Sequence, residues 1–526
     1  MNLKKIKTYI WFIAVALFIN ACSDDSNELS LTEPNHRVVY TSQMDFENKI
    51  NINGEIDFGD ISAGVESRTW TFPEGVVDIV GSDDDINSSK DVVKTIFNTV
   101  GEHSVHLNQI FKGDAFVGTE LRGKELDTTI IVTVLSPVTA TINANFINDD
   151  GSLGAALNIA DMAENEVTAS KSVRFTYATD GAPEEFVWNF DGGDPTEVTA
   201  APIETDVKYK KMGTYDIQFI ASRARPYGGD TIYLKDFIKV IASTDPVDLE
   251  QVTDKDGDIA LVFSREMDAS TLNKDNFSII IENGGVITPT IKKASVDATE
   301  GNIILLELDG EGIYNDDVIK VSYTPGVLAT LDAVKATAFT DEILEFTKIN
   351  ILDVASDYDH SFENSTADNW PYMWWGGVWG EYDLEISDIK AQDGSKSAYI
   401  EFRPNGGMII GHKNTAGDQI TFPAETGKNY EIGIWVYVED LGANDPAGFA
   451  PDVRFFWWPD TNWGVGGNPT FTSDFKTGEW VYSKTYAQFN ETGDKTFQIR
   501  GYNEANPERL KFYMDNLSVS EVSLRP

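Results

Sequence analysis

Apolar and polar residues alternate with a period of two along most of the chain. In Tyr430–Val438 the apolar side chains Tyr430, Ile432, Ile434, Val436 and Val438 fall on one face. Trp435 and Tyr437 fall on the other, among Glu431, Gly433 and Glu439. That is the pattern of a strand with one face in a core. Runs rich in Val, Ile, Thr, Phe and Tyr recur throughout, and no long stretch shows the i, i+3, i+4, i+7 spacing of an amphipathic helix. The pattern predicts an all-β protein. A chain of 526 residues is too long for one core. Turn-rich breaks at Leu135-Ser136-Pro137, Ser243-Thr244-Asp245-Pro246 and Lys348-Ile349-Asn350 divide it into segments 37–136, 137–243, 244–350 and 351–526. The first three are the size of immunoglobulin-like sandwiches and the last that of a jelly roll.

In the second segment, Phe186-Val187-Trp188-Asn189-Phe190-Asp191-Gly192-Gly193 reads as a strand entering a glycine turn. Val207–Ile217, with Tyr209, Gly213 and Tyr215, follows as a hairpin. Both pieces resemble the polycystic-kidney-disease (PKD) domain, a β-sandwich. Trp188 and Phe190 share a parity and are expected in the core. Arg68–Gly75 and Gly101–Leu107 repeat the pattern more faintly in the first segment, as a tandem, diverged PKD-like domain would. In the third, Ile259–Asp268 and Asp317–Thr324 resemble bacterial immunoglobulin-like domains, which commonly act as spacers.

Before these domains, Lys4, Lys5 and Lys7 precede an apolar run, Tyr9 to Ile19, too short to span a bilayer comfortably. The run ends at Ile19-Asn20-Ala21-Cys22, and Cys22 is the only cysteine in the chain, so no intrachain disulfide forms. The segment resembles the signal peptide and lipobox of bacterial lipoproteins, which implies lipidation at Cys22 and an outer-membrane anchor. Residues 23–36 form an acidic tether, and its opening Ser-Asp-Asp-Ser-Asn-Glu resembles the surface-export signal of Bacteroidota lipoproteins. The formal net charge is −44, and −47 once Lys4, Lys5 and Lys7 leave with the signal. A field of that sign repels polyanions. It argues against nucleic acid, and more weakly against anionic glycans, unless a local basic patch intervenes.

Nine of the 12 tryptophans lie within 370–480. A sandwich core needs two or three, and exposed large aromatics are a solubility liability unless they bind something. Aromatic rings match the flat C–H faces of pyranose sugars. Ser361-Phe362-Glu363-Asn364 with Trp370, Asp393–Ala398, Thr426–Val436, Gly478-Glu479-Trp480 and Phe512–Val519 follow one another with the order and spacing of the carbohydrate-binding modules related to family 4. The resemblance covers nearly all of 355–524 and implies a β-jelly roll that binds glycan chains without cleaving them. It also implies that Trp370 and Trp480 are structural. A structural Ca²⁺ would be held by Glu363 and Asp515, with backbone oxygens near Lys396. The alternative is a pair of surface acids.

The expected platform draws on several pieces of the chain. Three tryptophans among glycines, Trp374, Trp375 and Trp379, fit no strand or helix period and read as a rim loop that clamps sugar. Trp435 and Tyr437 stand on the non-core face of their strand. In Val453–Trp458 either face suits the core by bulk, but Arg454 should avoid burial and takes Trp458 to the exposed side. Trp463 is a further candidate ring. Arg454, Gln488, Gln498, Arg500 and Asn503 are candidates for reading hydroxyls through planar hydrogen-bonding groups.

There is no G-x-S-x-G, H-E-x-x-H or P-loop. The reading is therefore not an enzyme, although some hydrolases and lyases use jelly rolls. The whole layout resembles the surface glycan-binding lipoproteins of Bacteroidota polysaccharide-utilisation systems. Those work beside a TonB-dependent transporter and its SusD-like lipoprotein. The expectation is capture of a neutral β-glucan, first a β-1,3-glucan such as laminarin. The rival is an adhesin that uses residues 37–350 to bind a protein or cell surface.

Overall fold

The computed structural model describes residues 34–373, 376–443, 453–459 and 477–526. The chain is all-β and divides into two compact units, Met1–Ile241 and Ala242–Pro526. Among the described residues no helix is long and apolar enough to cross a membrane.

The first unit contains two sandwich cores. One is centred on Ile56, Phe58, Trp70, Phe97, Leu107 and Val132. It lies between a sheet built on Glu125–Leu135, Gly101–Phe111 and Val65–Thr71 and a second built on Gly54–Asp60 and Val92–Phe97. The other is centred on Trp188, Phe190, Phe175, Phe219 and Phe237. Trp188 and Phe190 are both fully buried and stack with centroids 5.1 Å apart. They are core residues because strand parity turns both inward, where two large rings exclude water from the sandwich. The buried Arg223 joins the two domains, donating from Nη2 to Asn51 Oδ1 at 2.6 Å and to the Ser136 carbonyl at 3.0 Å.

The second unit opens with a sandwich of two four-stranded sheets around Leu261, Phe263, Ile279, Ile304, Leu306 and Val321. Its last domain is a jelly roll with nine strands among the described residues: β1 Tyr382–Ser387, β2 Ser397–Phe402, β3 Gly407–Ile410, β4 Phe422–Ala424, β5 Asn429–Asp440, β6 Arg454–Trp458, β7 Trp480–Ala487, β8 Gly493–Tyr502 and β9 Leu510–Val522. One sheet has the order β1-β2-β9-β5-β7. In the other, β8 pairs with β3, β4 and β6. Between them lie Trp370, Phe402, Ile432, Ile434, Val436, Phe497, Ile499 and Phe512. Several contacts tie this domain to its neighbour in the unit, two of them ion pairs that involve a buried carboxylate. Lys348 pairs with the buried Glu431 at 2.5 Å, and Arg525 pairs with Asp317 at 2.7 Å.

Candidate functional site

The two sheets turn different outer faces to the surroundings, and the predicted platform residues are split between them. On β8, Phe497 and Ile499 enter the core, so Gln498, Arg500 and Tyr502 face outward. On β6, Phe455 and Trp457 are in the core, which leaves Arg454, Phe456 and Trp458 on the outer side. Trp458 is 55% exposed. The antiparallel register sets Arg454 opposite Arg500 and Phe456 opposite Gln498. On the other edge of β8, Gly407 of β3 lies opposite Tyr502.

The segment that carries the tryptophan cluster clips onto β3. Tyr372 bridges Ile410, the Met373 N–H donates to the Ile409 carbonyl at 2.8 Å, and Gly380 bridges Met408. The 3₁₀ turn Gly377–Trp379 thereby lays the Trp379 ring over Gly407, where an added Cβ would come within 3.1 Å of Trp379 Cε3. The Gly501 carbonyl would be closer still, at 2.6 Å, so glycine at 407 is required first by the neighbouring strand and also leaves space for the ring. Trp379 meets Tyr502 at 5.1 Å between centroids. The Arg500 guanidinium carbon lies 4.3 Å from the Trp379 ring centroid and 5.6 Å from that of Phe456. A guanidinium stacked on an aromatic ring has its plane oriented by that contact.

This face combines apolar rings with planar donors and the Gln498 amide. It suits a ligand with flat C–H faces and many hydroxyls. Its outward strand residues on β6, and on β8 from Thr496 to Tyr502, include no carboxylate, and Asp494 lies further along β8 with the same parity.

Trp435 and Tyr437 do not join it. They lie on the outer face of the five-stranded sheet, with Trp435 5.3 Å from Tyr482 and Tyr437 5.7 Å from Trp480. The single platform expected from sequence is therefore two surfaces, because β5 and β6 belong to different sheets. Trp480 is also corrected. It is partly exposed on that outer face and not in the core, whereas Trp370 is 1% exposed and stacks on His412 at 4.5 Å. Gln488 is exposed beyond the end of β7 and donates from Nε2 to Asn429 Oδ1 at 2.7 Å, away from Arg500 in its sheet. Asn503 is 1% exposed, its amide donating to the Glu508 carbonyl at 3.0 Å. It braces the turn after β8 and has no surface to offer a ligand. Tyr502 and Phe456 were not singled out from sequence. Alternation from the buried Phe497 and Ile499 would have found Tyr502. Cys22, Trp374, Trp375 and Trp463 lie outside the described residues.

The proposed calcium ligands are engaged otherwise. Glu363 Oε1 accepts from the Ser395 and Lys396 N–H groups at 2.7 and 2.8 Å, and the Lys396 ammonium donates to the Glu363 carbonyl at 2.6 Å. Burial works to raise the Glu363 carboxyl, but these donors hold it below its ordinary range. Asp515 is fully buried, and its oxygens accept from the Gln392 and Asn516 N–H groups at 2.7 and 2.8 Å. Burial first, and then the charge of Glu363, push its pKa up to about 6. Among the described residues no group of three acidic, histidine or cysteine side chains could hold a metal. Backbone N–H groups and an ammonium fill the places an oxygen shell would leave for Ca²⁺, so the residues do not fit that ion.

No family model matches the chain, and no curated protein matches it. Several solved structures match parts of the chain at low identity and low TM-score. The CBM22-1 xylan-binding domain of Paenibacillus barcinonensis Xyn10C is 17% identical with a TM-score of 0.20, over 32% of this chain and 94% of that one. A family 16 carbohydrate binding module-2 is 19% identical with a TM-score of 0.21, over 31% of this chain and 97% of that one. The fibronectin(III)-like modules of Clostridium thermocellum CbhA are 12% identical with a TM-score of 0.20, over 39% of this chain and 95% of theirs.

Proposed function

We propose that the protein is a non-catalytic polysaccharide-binding protein whose ligand lies on the outer face of the four-stranded sheet. The observation that carries the reading is the Arg500 guanidinium over the Trp379 ring, with the buried Phe456 at 5.6 Å and Trp458 exposed further along the same face, opposite Thr496. Stacking on such rings desolvates pyranose faces and contributes on the order of 1 kcal/mol or more per ring. Arg454, Arg500 and Gln498 supply planar groups that distinguish hydroxyl geometry. A neutral β-glucan, first a β-1,3-glucan such as laminarin, is the ligand in this reading. The net charge of −44 disfavours a polyanion.

The leader and Cys22 support a lipid-anchored protein on the outer-membrane surface. There it would present captured glycan to surface hydrolases and a TonB-dependent transporter with its SusD-like lipoprotein. The three preceding sandwiches act as spacers in this arrangement.

A glycan array probed with the full chain tests the reading. Retention of neutral β-glucans, weakened at least threefold in a folded Trp379→Ala, Trp458→Ala double variant, is expected. Equal retention by wild type and variant would move the ligand elsewhere on the chain. Retention of uronate glycans alone would overturn the neutral assignment, and capture of protein without any glycan would favour an adhesin.

A further inference from the structure

The outer face of the five-stranded sheet carries a line of side chains in a single register. Glu385 of β1 lies opposite Tyr399 of β2, which lies opposite Tyr513 of β9. Tyr513 lies opposite Tyr437 of β5, and Tyr437 opposite Trp480 of β7. The ring centroids follow at 4.8, 6.0 and 5.7 Å, so four adjacent strands contribute one continuous aromatic row. Trp435 and Tyr482 extend it on one side. On the other side Glu401 and Glu439 border it, and the Lys390 ammonium lies 4.8 Å from the Tyr437 centroid. Tyr399, Tyr437 and Trp480 are each partly exposed, while Tyr513 between them is buried and packs the row from below.

The chemistry of this face is selective. The outward positions of the row and of its two neighbouring rows are rings, carboxylates, serines and a lysine, and none is aliphatic. Every ring is a tyrosine or a tryptophan, with an O–H or N–H at its rim. A face built to bury a protein partner's core would add aliphatic bulk. A face for sugar needs flat apolar patches at the spacing of strands, about 4.8 Å, with acceptors beside them for hydroxyl protons.

We propose that this row is a second glycan-binding surface, on the sheet opposite the first, with a polysaccharide strand lying across β2, β9, β5 and β7. The protein is then bivalent. It holds two glycan chains, or two stretches of one, on opposite sheets of its last domain. Two weak sites give avidity and allow soluble chains to be cross-linked, which a one-faced module cannot do.

The test uses the full chain in native gels cast with laminarin, xylan or mannan. It compares wild type, Trp379→Ala with Trp458→Ala, Tyr437→Ala with Trp480→Ala, and the quadruple variant. The first pair should leave measurable retardation in at least one gel, and adding the second pair should abolish it. The second pair alone should remove the turbidity that wild type produces on mixing with the retarding polysaccharide. Glu385→Lys with Glu439→Lys leaves the rings in place and should weaken the residual retardation at least threefold, which serves if the alanine pair fails to fold. The second surface is overturned if the Trp379, Trp458 variant migrates freely in every gel, or if the row variants change nothing in that background. Free migration of wild type in every gel overturns it as well. Unchanged migration of the Trp379, Trp458 variant, with loss on changing the row, would instead defeat the first site and keep the second.

Discussion

The guanidinium of Arg500 and the indole of Trp379 are 4.3 Å apart although 121 positions separate them in the chain. The contact exists because bridges at Tyr372 and Gly380 clip the Trp379 segment onto β3 and because β8 turns Arg500 to the same outer face. Arg500→Lys keeps the charge but replaces a stacked plane with a hydrated point charge. Glycan affinity should fall at least fivefold with thermal stability nearly unchanged, measured by calorimetric titration and melting. Equal affinity would mean that Arg500 contributes charge alone.

Trp370 and Trp458 should respond in opposite ways to truncation. Trp370 is buried between Phe362 and His412, and removing a core tryptophan costs about 3–5 kcal/mol. Trp458 is 55% exposed, and its removal should alter stability by about 0.5 kcal/mol or less. Denaturant melts of Trp370→Ala and Trp458→Ala, followed with glycan titrations, separate the two roles. A stable Trp370→Ala would contradict the core assignment.

His412 predicts a pH dependence. Burial against Tyr358 and Trp370 pushes its pKa down from the ordinary 6.5 to about 4. The folded state therefore holds it neutral where the unfolded chain protonates it. Its contribution is complete above pH 6.5 and is lost as pH falls towards 4, by at most about 1.4 kcal/mol per pH unit. Asp515, raised to about 6 by burial, acts the other way, since its charged form is the disfavoured one and protonation relieves it. His412→Phe should melt with less acid sensitivity than wild type between pH 6.5 and 4, and an unchanged acid slope would remove His412 from the account.

Calcium should leave the last domain's stability unchanged. An ion present at a hundred times its dissociation constant would add about 2.7 kcal/mol. With Lys396 and backbone N–H groups on Glu363 and Asp515, no such gain is expected on adding millimolar Ca²⁺ or on chelation. A rise in melting temperature that the chelator reverses would restore the ion.

Strand parity was legible for several residues, although the outward Tyr502 was missed. The parity of Tyr430–Val438 put Trp435 and Tyr437 outside the core, and Arg454 put Trp458 on the exposed side of a strand whose two faces are nearly equal in bulk. Trp188 and Phe190 were placed inside by the same rule. Where parity was set aside for family position, the expectation failed: Trp480 lies on an outer face.

The sequence by itself determined which side chains of each strand face a core, because alternation is a property of consecutive residues. It also determined the all-β class. Only the tertiary structure decided that β5 and β6 belong to opposite sheets, so that one presumed platform became two. It alone brought Trp379 onto Gly407 beside Arg500, and turned Asn503 inward. Those outcomes depend on pairing between strands far apart in the chain, where the partner of each strand is chosen by packing over the whole sandwich and leaves no mark in a local window.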